Sequence, residues 1–348
     1  MAYVLGMCSK KLNRWYKHIL SGYREAKSTG KLRSGDVKIR GQNSKIRVPI
    51  VSLDHIGPHI AIDEKHIRGV YHTILSNGSS GKIIMMIRSM KSREIYACIR
   101  AHFSPEQMMS VRIVTKDGAN CFDWVSRQAF PNAAKILDKW HVLKWAFEAL
   151  QSVRVELKNQ YVIQRYKEEQ NLKRLYTKAK KDAKRQGMNV SRSDYKYVPE
   201  MLTNGETVQE VLHRSRYLLY KYEDQWNREQ VNRAQCLFDK YPKLEKVYIM
   251  ILKFTTWYSK DNIGKSIGKI KGQLADWIKE IRTFNITSMS SLATTINRHA
   301  GQITNYFILG KTNAPAEALN RNIKRFIGVN YGIRELEYFY YRLNILNA

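Results

Sequence analysis

Apolar residues recur along this chain with two different periods, and the change from one to the other divides it. Near the N-terminus Leu12, Trp15, Tyr16, Ile19, Leu20 and Tyr23 share one face of a helical repeat, with Lys10, Lys11, Arg14, Lys17 and Arg24 opposite. That helix reads equally as a DNA contact or as a docking helix whose basic face is solvated. The stretch 31–47 follows neither period; basic residues among Gly and Ser make it an extended arm or a linker. From His59 the period is that of strands, over 59–63, 70–75 and 82–88, with Asn77-Gly78 as turn chemistry between the last two. Ile95, Ile99 and Phe103 then mark a helix over 92–103, 111–115 is strand-like, 119–130 is a helix closed by Pro131, and 134–137 is a further strand. Beyond Val142 the strand period ceases. Leu150-x-x-Val153-x-x-x-Leu157 and Leu244-x-x-Val247-x-x-x-Ile251 predict a large helical region reaching to about Ile308. Strand, strand, strand, helix, strand, helix, strand implies an α/β fold around a sheet of mixed direction.

Charge narrows the class. The 348 residues carry 60 Lys plus Arg against 30 Asp plus Glu, a formal net charge of +30, which calls for a polyanionic partner. With 43% hydrophobic and 11% aromatic residues the chain can bury a real core, so wholesale disorder is excluded. Apolar runs such as 83–87 and 247–252 fall far short of a membrane span, and the first residues are not ordered as a signal peptide. Cys8, Cys98, Cys121 and Cys236 lie too far apart for a zinc site or a disulfide framework, so reduced thiols in a cytoplasmic protein are expected. Two basic groups are candidate phosphate contacts: Arg40, Lys45 and Arg47 on the arm, and Lys173, Arg174, Lys180 and Lys181 in the helical region. Each is also what a solvated surface looks like.

Three acids interrupt this basic pattern in informative places. Asp63 ends the first strand in Ala61-Ile62-Asp63-Glu64, and Asp117 follows the fourth in Val114-Thr115-Lys116-Asp117. A lone acid at a strand end is ordinarily a turn or cap residue; two acids at the ends of strands that lie side by side can share an edge. The third, Glu317, lies in Asn313-Ala-Pro315-Ala-Glu317, where Pro315 suits a first helical turn. Glu317, Asn320, Arg321 and Lys324 then form one polar face, a metal ligand beside phosphate-contacting donors, while Leu319, Ile323 and Phe326 form the apolar one. The spacing is equally that of a Glu complementing a helix dipole. Carboxylates from distant parts of the chain are what phosphodiester chemistry on divalent ions requires.

The succession of elements resembles an RNase H-like domain. The motifs go further: Gly57-Pro-His-Ile-Ala-Ile-Asp63-Glu64, Val114-Thr-Lys-Asp117, Phe130-Pro-Asn-Ala with Leu137-Asp138-Lys-Trp-His141-Val, Phe238-x-x-Tyr241-Pro242, and Thr312-Asn-Ala-Pro-Ala-Glu317 with Asn320 and Ile323-Lys324. Together with Gly328 and Phe339-x-x-Arg342-Leu343, they resemble the DDE-type transposases of bacterial insertion sequences, most closely the ISL-three family and its Bacteroidetes relatives. The resemblance implies Asp63, Asp117 and Glu317 as a metal-binding triad holding two Mg²⁺ ions, with Mn²⁺ as substitute. It also implies a large helical insertion before the final Glu, and Glu64, Asp138 and His141 as supporting residues, Asp138-x-x-His141 ordering the site or a DNA end. The partners implied are transposon ends and target DNA, with a homodimer on DNA. Full-length relatives often begin with a zinc-binding segment and a helix-turn-helix. The short basic region here departs from that, and a separate end-recognition subunit is the corresponding expectation.

The resulting organisation is a basic N-terminal helix and arm over 1–55, the first part of an RNase H-like core over 56–145, a helical insertion over 146–308, and C-terminal helices completing the core over 309–348. The function expected is metal-dependent DNA strand cleavage followed by strand transfer. An RNase H-like nuclease that joins no ends, and an inactive DNA-binding remnant, are the alternatives.

Overall fold

The computed structural model describes residues 6–39, 41, 45–329 and 334–347; Arg40, expected on DNA, lies outside them. The chain divides into two bodies, Met1–His141 with Gly301–Ala348, and Val142–Ala300.

In the first body α1 (Ser9–Trp15) runs on into a π-helical turn, Tyr16–Leu20, and a left-handed Gly22 precedes α2 (Tyr23–Ser28). The single apolar face expected over this stretch is therefore divided: Tyr23 is buried against Tyr338 and Tyr341, whereas Trp15, Tyr16, Ile19 and Leu20 stay exposed. In the segment expected as an arm or linker, the described residues include a short antiparallel ribbon, β1 (Val37–Lys38) with β2 (Lys45–Ile46), on which Lys45 is exposed. Arg47 needs a plain correction, because it is no phosphate contact: it is 9% exposed, with Asp36 at 2.6 Å and Glu337 at 2.5 Å.

Six strands follow in one sheet: β3 (Ile50–Val51), β4 (His59–Ile67), β5 (Val70–Asn77), β6 (Ile83–Ile87), β7 (Ile113–Lys116) and β8 (Ala134–Leu137), in the order β3-β6-β5-β4-β7-β8. The first four of that order are antiparallel; β4, β7 and β8 are parallel. This is the α/β, RNase H-like mixed sheet that the succession of elements implied. β3, only two residues long, has no period to read and was not foreseen. β4 outruns its expected end because Arg68 and Gly69, both at positive φ, turn the chain straight into β5. β6 is buried at every position, as a strand covered on both faces must be. On one face Ile60, Ile62 and Val114 pack with Ile95 and Ile99 of α3 (Ser92–His102) and Phe122 and Val125 of α5 (Asn120–Ala129). Between them lies α4 (Pro105–Ser110), opened by a reciprocal capping box of Ser104 and Gln107 that apolar periodicity does not report.

The second body is helical. Its helices are α6 (Lys139–Arg185), α7 (Val208–Arg214), α8 (Arg228–Lys240), α9 (Pro242–Trp257), α10 (Ile267–Arg282) and α11 (Thr287–Arg298), and α12 (Ala300–Leu309) begins where this body ends. Phe254 stacks on Trp277 with centroids 4.3 Å apart, and Tyr248 on Trp226 at 5.7 Å. Glu206 clamps α7 to α8 by accepting from Arg233 and Arg214, bonds that hold its carboxyl down at about 2. Lys173, Arg174, Lys180 and Lys181 lie exposed along the C-terminal half of α6. No helix among the described residues is long and apolar enough to cross a membrane.

Three helices complete the first body: α12, all but its first residue, α13 (Ala314–Val329) and α14 (Leu336–Asn347). Ile323, Phe339, Tyr340 and Leu343 pack on Ile67, Ile74 and Met86, covering the sheet face opposite α3 and α5. The Arg47 pairing with Glu337 fastens the N-terminal segment to α14. Removing one partner from a buried pair leaves the other charge uncompensated. Arg47→Ala should therefore cost roughly 3 kcal/mol of unfolding free energy in urea titration, without changing DNA affinity. A cost within about 1 kcal/mol would show the pair to be screened by water.

Candidate active site

Strand register assembles the site. β4 and β7 pair with Ile62 opposite Lys116, and β7 and β8 pair with Lys116 opposite Leu137. One residue further along lie Asp63, Asp117 and Asp138, and the Asp138 amide donating to the Lys116 carbonyl at 2.8 Å shows the pairing continuing to that row. Alternation decides the face. Ile62 and Val114 point toward α3 and α5, so Asp63 and Asp117 point the other way, toward the side that α13 covers. Lys116, between them in phase, is directed to the α5 side, where its ammonium meets Asp123 at 3.1 Å.

Asp117 and Asp138 are buried and Asp63 is half-buried, and their charges act on one another. Burial foremost pushes the Asp63 carboxyl up to about 6, the charges of Asp117 and Asp138 add to this, and the Glu64 amide and His141 oppose it. Asp117 is likewise raised, chiefly by burial, with Asp138 adding and the Ala119 amide opposing. His141 hydrogen-bonds Asp138 Oδ2 through Nδ1 at 2.8 Å. Burial alone would lower its pKa, but Asp138, Asp117 and Asp63 outweigh it and raise the pKa above the ordinary histidine value.

α13 meets this row through Asn320, whose Nδ2 donates to Asp63 Oδ2 at 2.5 Å; Lys65 Nζ donates to the Asn320 carbonyl at 3.2 Å. The side-chain amide expected to contact phosphate is thus turned onto a carboxylate. Glu317, one turn earlier, is exposed, as are Arg321 and Lys324. Among the described residues no three His, Cys, Asp or Glu side chains gather closely enough to hold a metal ion, so Glu317 is not drawn into a closed cluster with Asp63 and Asp117. The Glu64 side chain is exposed on the face away from Asp63, and its backbone amide donates to Asp63 Oδ1. The basic residues Lys173, Arg174, Lys180 and Lys181 belong to the other body.

Sequence reasoning missed a buried polar string under the row. Thr115 Oγ1 lies 3.2 Å from both His59 Nε2 and Asn313 Oδ1, and all three residues are buried. Burial, aided by the Lys311 charge, keeps His59 neutral, down at about 4. Asn313 stood in the motif before Glu317, but its partner is far away in sequence and no local signal connects them.

The all-oxygen donor chemistry of Asp63 and Asp117, two carboxylates whose ionisation burial and mutual charge disfavour, fits a hard divalent cation, which would relieve both effects. A family model described as transposase, of the DDE type and ISL-three group, matches residues 60–343. The chain belongs to this transposase family. Comparison with curated proteins and with solved structures gave no match. Members of the family generally use divalent metal ions on a DNA substrate.

For the metal-free transposase the raised Asp63 pKa has a definite sign. The folded state keeps its proton where the unfolded state has lost it, so this group's contribution to stability falls as pH rises from about 4 toward the folded value of about 6. Unfolding measured for wild type and Asp63→Asn in chelator should show the difference moving against wild type across that window, by on the order of 2 kcal/mol. A pH-independent difference would mean that Asp63 titrates as an ordinary surface acid.

Proposed function

We propose that this transposase cleaves DNA strands at the ends of an insertion sequence and joins the released 3′ ends to target DNA, using Asp63, Asp117 and Glu317. The observation that carries the reading is the register that sets Asp63 beside Asp117 at the ends of two parallel strands, under the helix bearing Glu317. Asp63 and Asp117 would hold Mg²⁺, with Glu317 brought to the same ions when DNA is bound. Divalent ions there supply charge neutralisation and activation of the attacking oxygen at the phosphodiester. The chain's own part is placement. Asp138 orients His141, which the neighbouring acids make easier to protonate; the protonated ring would offset carboxylate repulsion and offer a donor to a DNA phosphate. Arg321 and Lys324, exposed on the face of α13 that carries Glu317, and Lys45 on the ribbon would take the backbone, as would Lys173, Arg174, Lys180 and Lys181 on α6. A homodimer would bring two ends together, a separate subunit would recognise their sequence, and the work would be done in the cytoplasm, at the nucleoid.

Asp63→Asn, Asp117→Asn and Glu317→Gln should each lower strand cleavage by about a thousandfold or more, while DNA affinity stays equal or rises because a negative charge near phosphate is lost. Gel assays of cleavage and binding on the same preparations check this, and loss of binding together with cleavage would sink it. Joined products in the wild-type reaction separate a transposase from a nuclease that only cuts. Replacing Lys173, Arg174, Lys180 and Lys181 together by Ala should flatten the dependence of log K on log salt for duplex DNA by roughly 3.6 units if all four meet phosphate. An unchanged slope would return them to the solvated surface.

A further inference from the structure

Asn313, Glu317, Asn320 and Lys324 follow one another at intervals of four, three and four residues, which on a helix places them within a narrow arc of one face. The two asparagines of that arc are both bound to the sheet. Asn320 Nδ2 donates to Asp63 Oδ2 on β4, and the Asn320 Oδ1 is buried with no hydrogen-bond partner. Asn313, 1% exposed, accepts from Thr115 on β7 through Oδ1, and its own carbonyl accepts from the Glu317 amide at 3.0 Å, the bond that starts α13. Lys65 adds a third tie, from β4 to the Asn320 carbonyl. The Thr115 hydroxyl is itself hydrogen-bonded to His59, whose ring lies against Gly78 so closely that a Cβ there would fall 2.4 Å from it.

We propose that Asn313 and Asn320 are positioning residues, a two-point clasp that fixes α13 to β7 and β4 and so sets the backbone of Glu317 over the Asp63 and Asp117 carboxylates. The assignment rests on the catalytic reading above for its purpose, and on geometry alone for its existence. It changes what Asn320 does, from a phosphate contact to a tie on the first acid. It also gives Asn313 a role that its place in the chain does not suggest. A helix end held at one point can pivot; held at two, on adjacent strands, it sets the height of the residue between them. Glu317 can then be exposed and still be preorganised, because its backbone is fixed while its side chain waits for an ion to draw it in.

The experiment uses the full chain with Asn320→Ala, Asn313→Ala, Thr115→Val and the conservative Thr115→Ser. Hydrogen exchange followed by mass spectrometry reports the clasp itself. Exchange over 314–320 should speed up by about tenfold or more in the first three variants, with β4 and β7 unaltered, and Thr115→Ser should stay close to wild type. The purpose is read by Mn²⁺ titration, counting free ion by electron paramagnetic resonance, and by cleavage of duplex carrying the element's ends. Asn320→Ala should weaken Mn²⁺ binding by about tenfold and lower kcat by about a hundredfold with little change in KM for DNA. If exchange in α13 is unaltered, or if Asn320→Ala is merely less heat-stable while it binds Mn²⁺ and cuts like wild type, the clasp assignment is overturned and the catalytic reading stands. If the wild-type chain neither holds Mn²⁺ nor cuts, the catalytic reading falls and takes the purpose of the clasp with it.

Discussion

Two strands that are distant in sequence, β4 and β7, pair in parallel with Ile62 opposite Lys116, and almost every feature of the site follows from that register. It places Asp63 and Asp117 in one row. Because side chains alternate, it also sends Lys116 to the opposite face, where Asp123 takes its charge. A slip of one residue would exchange Lys116 for Asp117 in the row and drive a carboxylate among Phe122 and Val125. The buried apolar set on the α3 and α5 side therefore fixes the register for reasons of burial, and the acids are aligned as a consequence. β8, paired to β7 in the same sense, adds Asp138 and through it His141.

Like charges collected in a buried row oppose folding, and the arrangement around them limits the damage. Hydrogen bonds from the Glu64 and Ala119 amides and from the Asn320 side chain go to these carboxylates, and His141 is bonded to the neighbouring Asp138. The carboxyls of Asp63 and Asp117 nevertheless remain raised, which shows that burial outweighs those aids. Such a site has free energy to gain from a divalent cation. The surrounding chain, with a net charge of +30, has as much to gain from a polyanion. In the function proposed above, the two needs would meet on a DNA phosphate held at the acid row.

α13 stands between the two requirements. Its apolar side, with Ile323 in the lower core, buries the sheet, and the flanking face carries Glu317, Asn320 and Lys324. An amphipathic helix is commonly held by its apolar stripe alone, which leaves its rotation loosely determined. Here Asn313 and Asn320 add directional bonds to two strands, so rotation and height are set by the same sheet that aligns the acids.

The period of two from His59 onward, the helical period of the 119–130 segment and the end of strand signals after Val142 made the α/β sheet and the helical body legible. Apolar burial is a local pattern, written into consecutive residues. The acids Asp63, Asp117 and Glu317 were visible as interruptions of that pattern, and the family as the motifs around them. What the chain did not reveal were pairings between residues far apart. Arg47 looked like one more basic residue on an arm until Asp36 and Glu337 were seen to enclose it. Asn320 looked like a phosphate donor until Asp63 was found against its amide, and Asn313 had no meaning before Thr115 was set beneath it. Composition and periodicity determined which surfaces must be buried and that the partner is polyanionic. Which polar groups meet was decided only by the tertiary fold, because a hydrogen bond or an ion pair depends on placement within an ångström and leaves no period in the sequence.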